Sequence, residues 1–219
     1  MADGDSPFEA GMPETPSWCT HTFCDDFDHL EAGAFALWDT HGEGITIDND
    51  ASTSPPNSAS IRCDGNDLAS GKCWLVKNFP PPVNGMKFQF RWRPISVASV
   101  HGHAVWELSI KGNERYAVEL YRADTGADLE LCNGLQNCTN IPRQLLPNPN
   151  GDEFQKISGE VHFGDGGRID ISIDDRPEVS DAGPLGFDGT NGVLFGLGDI
   201  YEQPNASQIL VDDVVIDTF

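Results

Sequence analysis

Along most of this chain, apolar and polar residues alternate in short stretches, and apolar positions almost never recur at helical three- and four-residue spacing. In residues 86–93, Phe88, Phe90 and Trp92 fall on one face and Lys87, Gln89, Arg91 and Arg93 on the other. Residues 103–111 and 115–122 set Trp106, Leu108 and Ile110, then Tyr116, Val118 and Leu120, against polar or small residues. The same pattern predicts strands at 22–27, 44–48, 59–63, 73–79, 154–163, 168–174, 192–197 and 208–218, with loops at 140–152 and 179–192. Gly (23) and Pro (15) interrupt any longer run, so the expected architecture is an all-β, two-sheet antiparallel sandwich or jelly roll.

No internal repeat or linker cuts the chain after residue 20. With 219 residues, one domain over 21–219 behind an acidic, Pro- and Ser-rich tail over 1–20 is the expected organisation. Residues 2–18 have neither a basic start nor an apolar h-region, so export would depend on a leader outside this chain. The tail reads as a tether to an export or lipid anchor.

Charge narrows the partners. Thirteen Lys and Arg against 35 Asp and Glu give a formal charge of −22, which repels phosphate backbones, anionic lipid surfaces and anionic polysaccharides. Nucleic acid is therefore not an expected partner, whereas calcium, cationic partners and neutral ligands suit this balance. No apolar run is long enough to span a membrane. The six cysteines fall as neighbours, Cys19/Cys24, Cys63/Cys73 and Cys132/Cys138, which points to local disulfides and an extracellular or cell-surface location. Zinc has no supporting C-x-x-C or His spacing. Asn137 and Asn205 begin N-glycosylation sequons, meaningful only in a eukaryotic secretory pathway.

Phe23, Asp25, Asp26 and Phe27, a tryptophan at position 38, the segment 168–179 and the closing 209–219 follow one another in a distinctive order. In these features the chain resembles the concanavalin A-like lectin/glucanase superfamily, in its laminin-G-like jelly-roll branch. The resemblance implies that the first and last strands lie side by side, where some relatives hold a structural calcium ion. Asp25, Asp26, Asp212 and Asp213 stand at the matching places, with Asp26 and Asp213 the preferred side-chain ligands. The competing reading is that these carboxylates are solvated or bonded to backbone N–H groups. Asp174, Asp175, Arg176 and Pro177 read as a turn between two strands, with Asp170 on the strand before it.

The hairpin over 103–123 permits a register test. Matching apolar faces aligns Ile110 with Tyr116, Leu108 with Val118 and Trp106 with Leu120, around a loop at Gly112, Asn113 and Glu114. Glu107 then lies opposite Glu119, and Val105 opposite Tyr121. Directly opposed carboxylates destabilise a strand pair unless a cation intervenes or one is protonated. Arg91 and Arg93, on the polar phase of the preceding strand, are the expected cations. Three readings stand: a solvated, Arg-compensated face; a sugar-binding face of Arg91, Arg93, Glu107, Glu119 and Tyr121; and a carboxylate pair in a glycoside hydrolase or other polysaccharide-cleaving enzyme. The E-x-D-x-x-E strand of laminarinase-type relatives is missing, as are the motifs of the superfamily's lyases.

His101 and His103, with His162 as a third member, form a weak metal constellation, more simply read as a polar strand start. Trp92 and Trp106 fall on the apolar phase, while Trp18, Trp38 and Trp74 are candidates to stack on sugar. Taken together, the sequence leads to an extracellular, non-catalytic binding domain with a glycan ligand and structural calcium. A polysaccharide-cleaving enzyme using Glu107 and Glu119, or a purely structural domain, is the alternative.

Overall fold

A computed structural model describes residues 17–30, 33–42, 44–63, 73–96, 103–110, 113–123, 126–133, 138–141, 153–185, 189–199 and 207–219. Among the described residues fifteen strands run in chain order: β1 (Phe23–Asp25), β2 (Thr40–His41), β3 (Ile45–Asp48), β4 (Ser58–Cys63), β5 (Cys73–Phe79), β6 (Gly85–Ser96), β7 (His103–Ile110), β8 (Asn113–Ala123), β9 (Gly126–Asn133), β10 (Cys138–Ile141), β11 (Gln155–His162), β12 (Arg168–Ile173), β13 (Arg176–Ala182), β14 (Val193–Asp199) and β15 (Ser207–Thr218). They form two antiparallel sheets. One is eight-stranded, in the order β13-β12-β11-β6-β15-β4-β3 with β1 also on β15, and the other is seven-stranded, in the order β10-β9-β8-β7-β14-β5-β2.

The alternation in sequence becomes the two-sided character of these sheets. Phe88, Phe90 and Trp92 of β6 face Phe195 of β14 and Leu75 of β5 across a single core, and all are buried. Phe195 packs at 60° to Phe88 and at 79° to Phe90, the tilted and edge-on arrangements that aromatic quadrupoles favour. The chain ends meet in the larger sheet, where Phe23, Cys24 and Asp25 pair with Ile216, Val215 and Val214. β15 also lies between β6 and β4.

Several sequence expectations shift. Residues 126–133 and 138–141 are strands β9 and β10, the first without any predicted element and the second running into the expected 140–152 loop, and β13 occupies the first part of the expected 179–192 loop. The β12–β13 turn is tighter than the expected 174–177: Asp174 (φ 49°) and Asp175 (φ 63°) take the left-handed geometry of a two-residue hairpin loop, while Arg176 and Pro177 already belong to β13, with Ile173 paired to Arg176. The remainder of the predicted 140–152 loop lies outside the described residues, as do His101 and the tail over 1–16. Cys19 and Cys24 form a disulfide, Cys73 is also disulfide-bonded, and Cys132 and Cys138 are direct cross-strand partners. No helix is long and apolar enough to cross a membrane among the described residues.

Candidate functional site

Glu107 and Glu119 are direct Cα partners on β7 and β8, flanked by the pairs Trp106–Leu120 and Leu108–Val118. Leu108 belongs to the core, so the alternate positions 107 and 109 lie on the outer face of the seven-stranded sheet. The ends of the hairpin differ from expectation. A register shift between Ala104 and Trp106 places Ala104, not Val105, opposite Tyr121, and a second shift pairs Ile110 with Asn113 instead of Tyr116. Both irregularities lie outside the central ladder, so the paired glutamates keep their place.

The row through this pair extends further than the hairpin suggests. Glu119 is the partner of Glu130 on β9, and Glu130 of Asn140 on β10. On the other side, Glu107 is the partner of Gly196 on β14, which in turn pairs with Val76 on β5. Glu130 was missed because β9 was missed. Its signal was the alternation of Leu129 and Leu131 with Asp128, Glu130 and Cys132.

Arg91 and Arg93 do not join this face. β6 belongs to the eight-stranded sheet, where Arg91 pairs with Asp212 and Lys156, and its guanidinium Nε lies 3.2 Å from Asp213 Oδ2. The Arg93 guanidinium stacks over the Phe154 ring at 5.9 Å. The expected five-residue ligand site is therefore corrected. Glu107, Glu119 and Tyr121 share one sheet and the two arginines the other, because β6 and β7 are consecutive in sequence but not neighbours in a sheet. The outer face of the larger sheet is a field of ion pairs, with Lys87 3.1 Å from Glu160 and His162 3.0 Å from the same carboxylate. Lys87 and His162 hold the Glu160 carboxyl below its usual range against a modest opposing effect of burial. His162 thus sits far in the topology from His103, which pairs with Arg122 on β8.

The aspartates form a second centre at the seam of β1 and β15. Asp25, 5% exposed, accepts hydrogen bonds from Trp38 Nε1 at 2.7 Å and the Phe27 amide at 2.9 Å. Burial pushes its carboxyl up to about 6, against the pull of those two donors, with Asp26 and Asp212 adding repulsion. Asp212, fully buried, receives the Thr53 and Ser54 amides and both hydroxyls, and burial likewise raises its carboxyl. Asp213 takes up the Thr53 and Ser54 hydroxyls and Arg91. Asp26 Oδ1 accepts from the Asp28 amide. A calcium shell would need six to eight oxygens. Here the carboxylates are occupied by protein donors, and among the described residues no three or more His, Cys, Asp or Glu side chains are arranged to hold a metal. Trp38 is a buried hydrogen-bond donor, not a sugar platform, and Trp18 stacks on His29 with ring centroids 4.5 Å apart.

This architecture defines an all-β jelly-roll sandwich, and solved structures of polysaccharide lyases share it. An endo-β-1,4-glucuronan lyase from the fungus Trichoderma reesei superposes with a TM-score of 0.65 at 10% identity, covering 91% of this chain and 96% of that one. Cellulose induced protein Cip1 gives 0.61 at 15% identity over 89% and 96%. Alginate lyase vAL-1 from a Chlorella virus gives 0.59 at 10% over 91% and 100%. No protein-family model matches the sequence, and no curated protein matches it. These likenesses support the expected all-β jelly roll at the level of fold. They also correct the functional expectation: structures of this shape include several polysaccharide lyases, so a non-catalytic binding domain gives way to the enzymatic alternative.

Proposed function

We propose that the chain is a secreted polysaccharide-cleaving enzyme whose acid–base pair is Glu107 and Glu119, on the outer face of the seven-stranded sheet. The observation that carries this reading is their direct cross-strand opposition. Directly opposed residues have Cβ atoms about 4.5–5.5 Å apart, and two carboxylates at that distance do not both ionise easily. One protonated and one charged carboxyl is the state that glycosidic cleavage requires, an acid for the leaving oxygen and a base or nucleophile across from it. The lyase names among the structural matches support a polysaccharide as the substrate. The Cys19–Cys24 disulfide suits an oxidising, extracellular compartment.

The test is reducing-end release from a panel of purified polysaccharides. The native chain cleaves at least one of them, and Glu107→Gln and Glu119→Gln each lower the rate by about 10²–10⁴-fold. Release from none, or release that both variants retain, overturns the proposal.

A further inference from the structure

The outer face of the seven-stranded sheet is divided by chemistry. Toward β9, three glutamates stand at consecutive partner positions, Glu107 to Glu119 to Glu130, and Asp128 lies opposite Tyr121 one row over. Toward β5, Trp74, Val76 and Leu194 form an apolar cluster separate from the main core. The Trp74 indole covers Gly196, the residue beside Glu107: a Cβ at Gly196 would lie 2.8 Å from Trp74 Cε3. Ser109 lies two residues along β7 from Glu107 and is fully buried, and among the described residues its hydroxyl has no hydrogen-bond partner. In the row from Asn140 through Gly196 to Val76, and in the row of Ala117, Ser109, Leu194 and Asn78, no position is Lys or Arg.

From this division we infer that the face takes uncharged or amino-sugar glycans and turns away polyuronates, so that cleavage is hydrolytic. The inference rests on the enzyme reading above. Eliminative cleavage removes a proton beside a uronate carboxylate, and that carboxylate must be received by cations or hydrogen-bond donors. Three adjacent glutamates do the reverse, within a chain of charge −22. Hydrolysis suits what is present. One carboxyl gives its proton to the glycosidic oxygen as the bond to the anomeric carbon breaks, and the opposite carboxylate bonds to that carbon. Water then displaces the carboxylate and returns a proton to the first group. This route uses carboxyl groups about 5–5.5 Å apart, and direct strand opposition sets the two Cβ atoms about 4.5–5.5 Å apart, within reach of that spacing.

The experiment is affinity electrophoresis of the Glu107→Gln chain, which reads binding without turnover, through gels holding uncharged β-glucan, chitosan or a polyuronate. The uncharged glycan is the decisive arm, because chitosan also attracts any acidic protein. Retardation by the uncharged glycan, with the polyuronate at least about tenfold weaker at low salt, supports the inference. Glu130→Lys, or added salt, should then raise polyuronate binding by about tenfold. Equal or tighter binding of the polyuronate, or binding of no uncharged glycan, overturns it. So does an ultraviolet-absorbing unsaturated product from the native chain, which would leave the enzyme reading intact. Selective binding of the uncharged glycan with no reducing ends released from any polymer overturns the enzyme reading alone.

Discussion

The carboxyl of Asp25 provides a quantitative test of the seam that joins the chain ends. It is buried against Trp38 and Phe27, and its pKa of about 6 stands above the ordinary value of 3.8. The folded state therefore holds this proton over a range where the unfolded chain has released it. Stability from this group is fully present below about pH 3.8 and is lost as pH rises through about 6. With each pKa unit worth 1.36 kcal/mol, the roughly two-unit rise corresponds to a loss of about 3 kcal/mol. For a chain of this size that is about 6–12 °C in melting temperature. Other carboxylates titrate in the same range, so the clean quantity is a difference. Asp25→Asn has nearly the same shape and no titration, though its amide must face one of the two donors. Urea unfolding of both proteins at intervals from pH 3.5 to 7, with chelator present, gives the native stability minus that of the variant. This difference should fall by about 3 kcal/mol across the range. A difference that stays constant, or rises with pH, would refute the burial argument for Asp25.

Further outcomes follow from the same contacts. Gly159→Ala should destabilise the fold by about 1–3 kcal/mol in denaturant melts, because the new methyl carbon would collide with the Phe88 ring. Glu130→Gln should stabilise by about 0.2–1 kcal/mol at neutral pH, since it removes one of the like charges facing Glu119. Arg91→Met breaks a half-exposed ion pair with Asp213 and should change stability by under about 1 kcal/mol, leaving any glycan turnover unaltered because the residue lies on the opposite sheet. Added calcium should leave the melting temperature nearly unchanged. A chelator-reversible rise of several degrees would show that the ion displaces the Thr53 and Ser54 donors from Asp212 and Asp213.

The sequence made the fold legible where a strand buries one face. The period-two pattern of Phe88, Phe90 and Trp92 located β6, whereas the meeting of the chain ends, Phe23–Asp25 with Val214–Ile216, was implied by the family resemblance and not by alternation. The Glu107–Glu119 register was legible because three apolar pairs on the core face leave little choice of alignment, even though the outermost one is displaced by a bulge. What failed was the step from strand to sheet. Arg91 and Arg93 have the right phase on β6, but phase within a strand does not tell which sheet the strand joins, and β6 joined β15 and β11. Trp38 gave no sign that its indole would serve a buried aspartate thirteen residues earlier, since that hydrogen bond depends on a loop closing back on β1. Gly196 beneath Trp74 is likewise a contact between β14 and β5, which alternation cannot show.

The most direct measurement compares initial rates of reducing-end release by the native chain, Glu107→Gln, Glu119→Gln and the double variant on a glycan the native chain cleaves. If the opposed pair works as one unit, each single variant falls by about 10²–10⁴-fold and the double variant falls little further. A single variant within threefold of native, or two losses that multiply in the double variant, would contradict a shared catalytic role for the two glutamates.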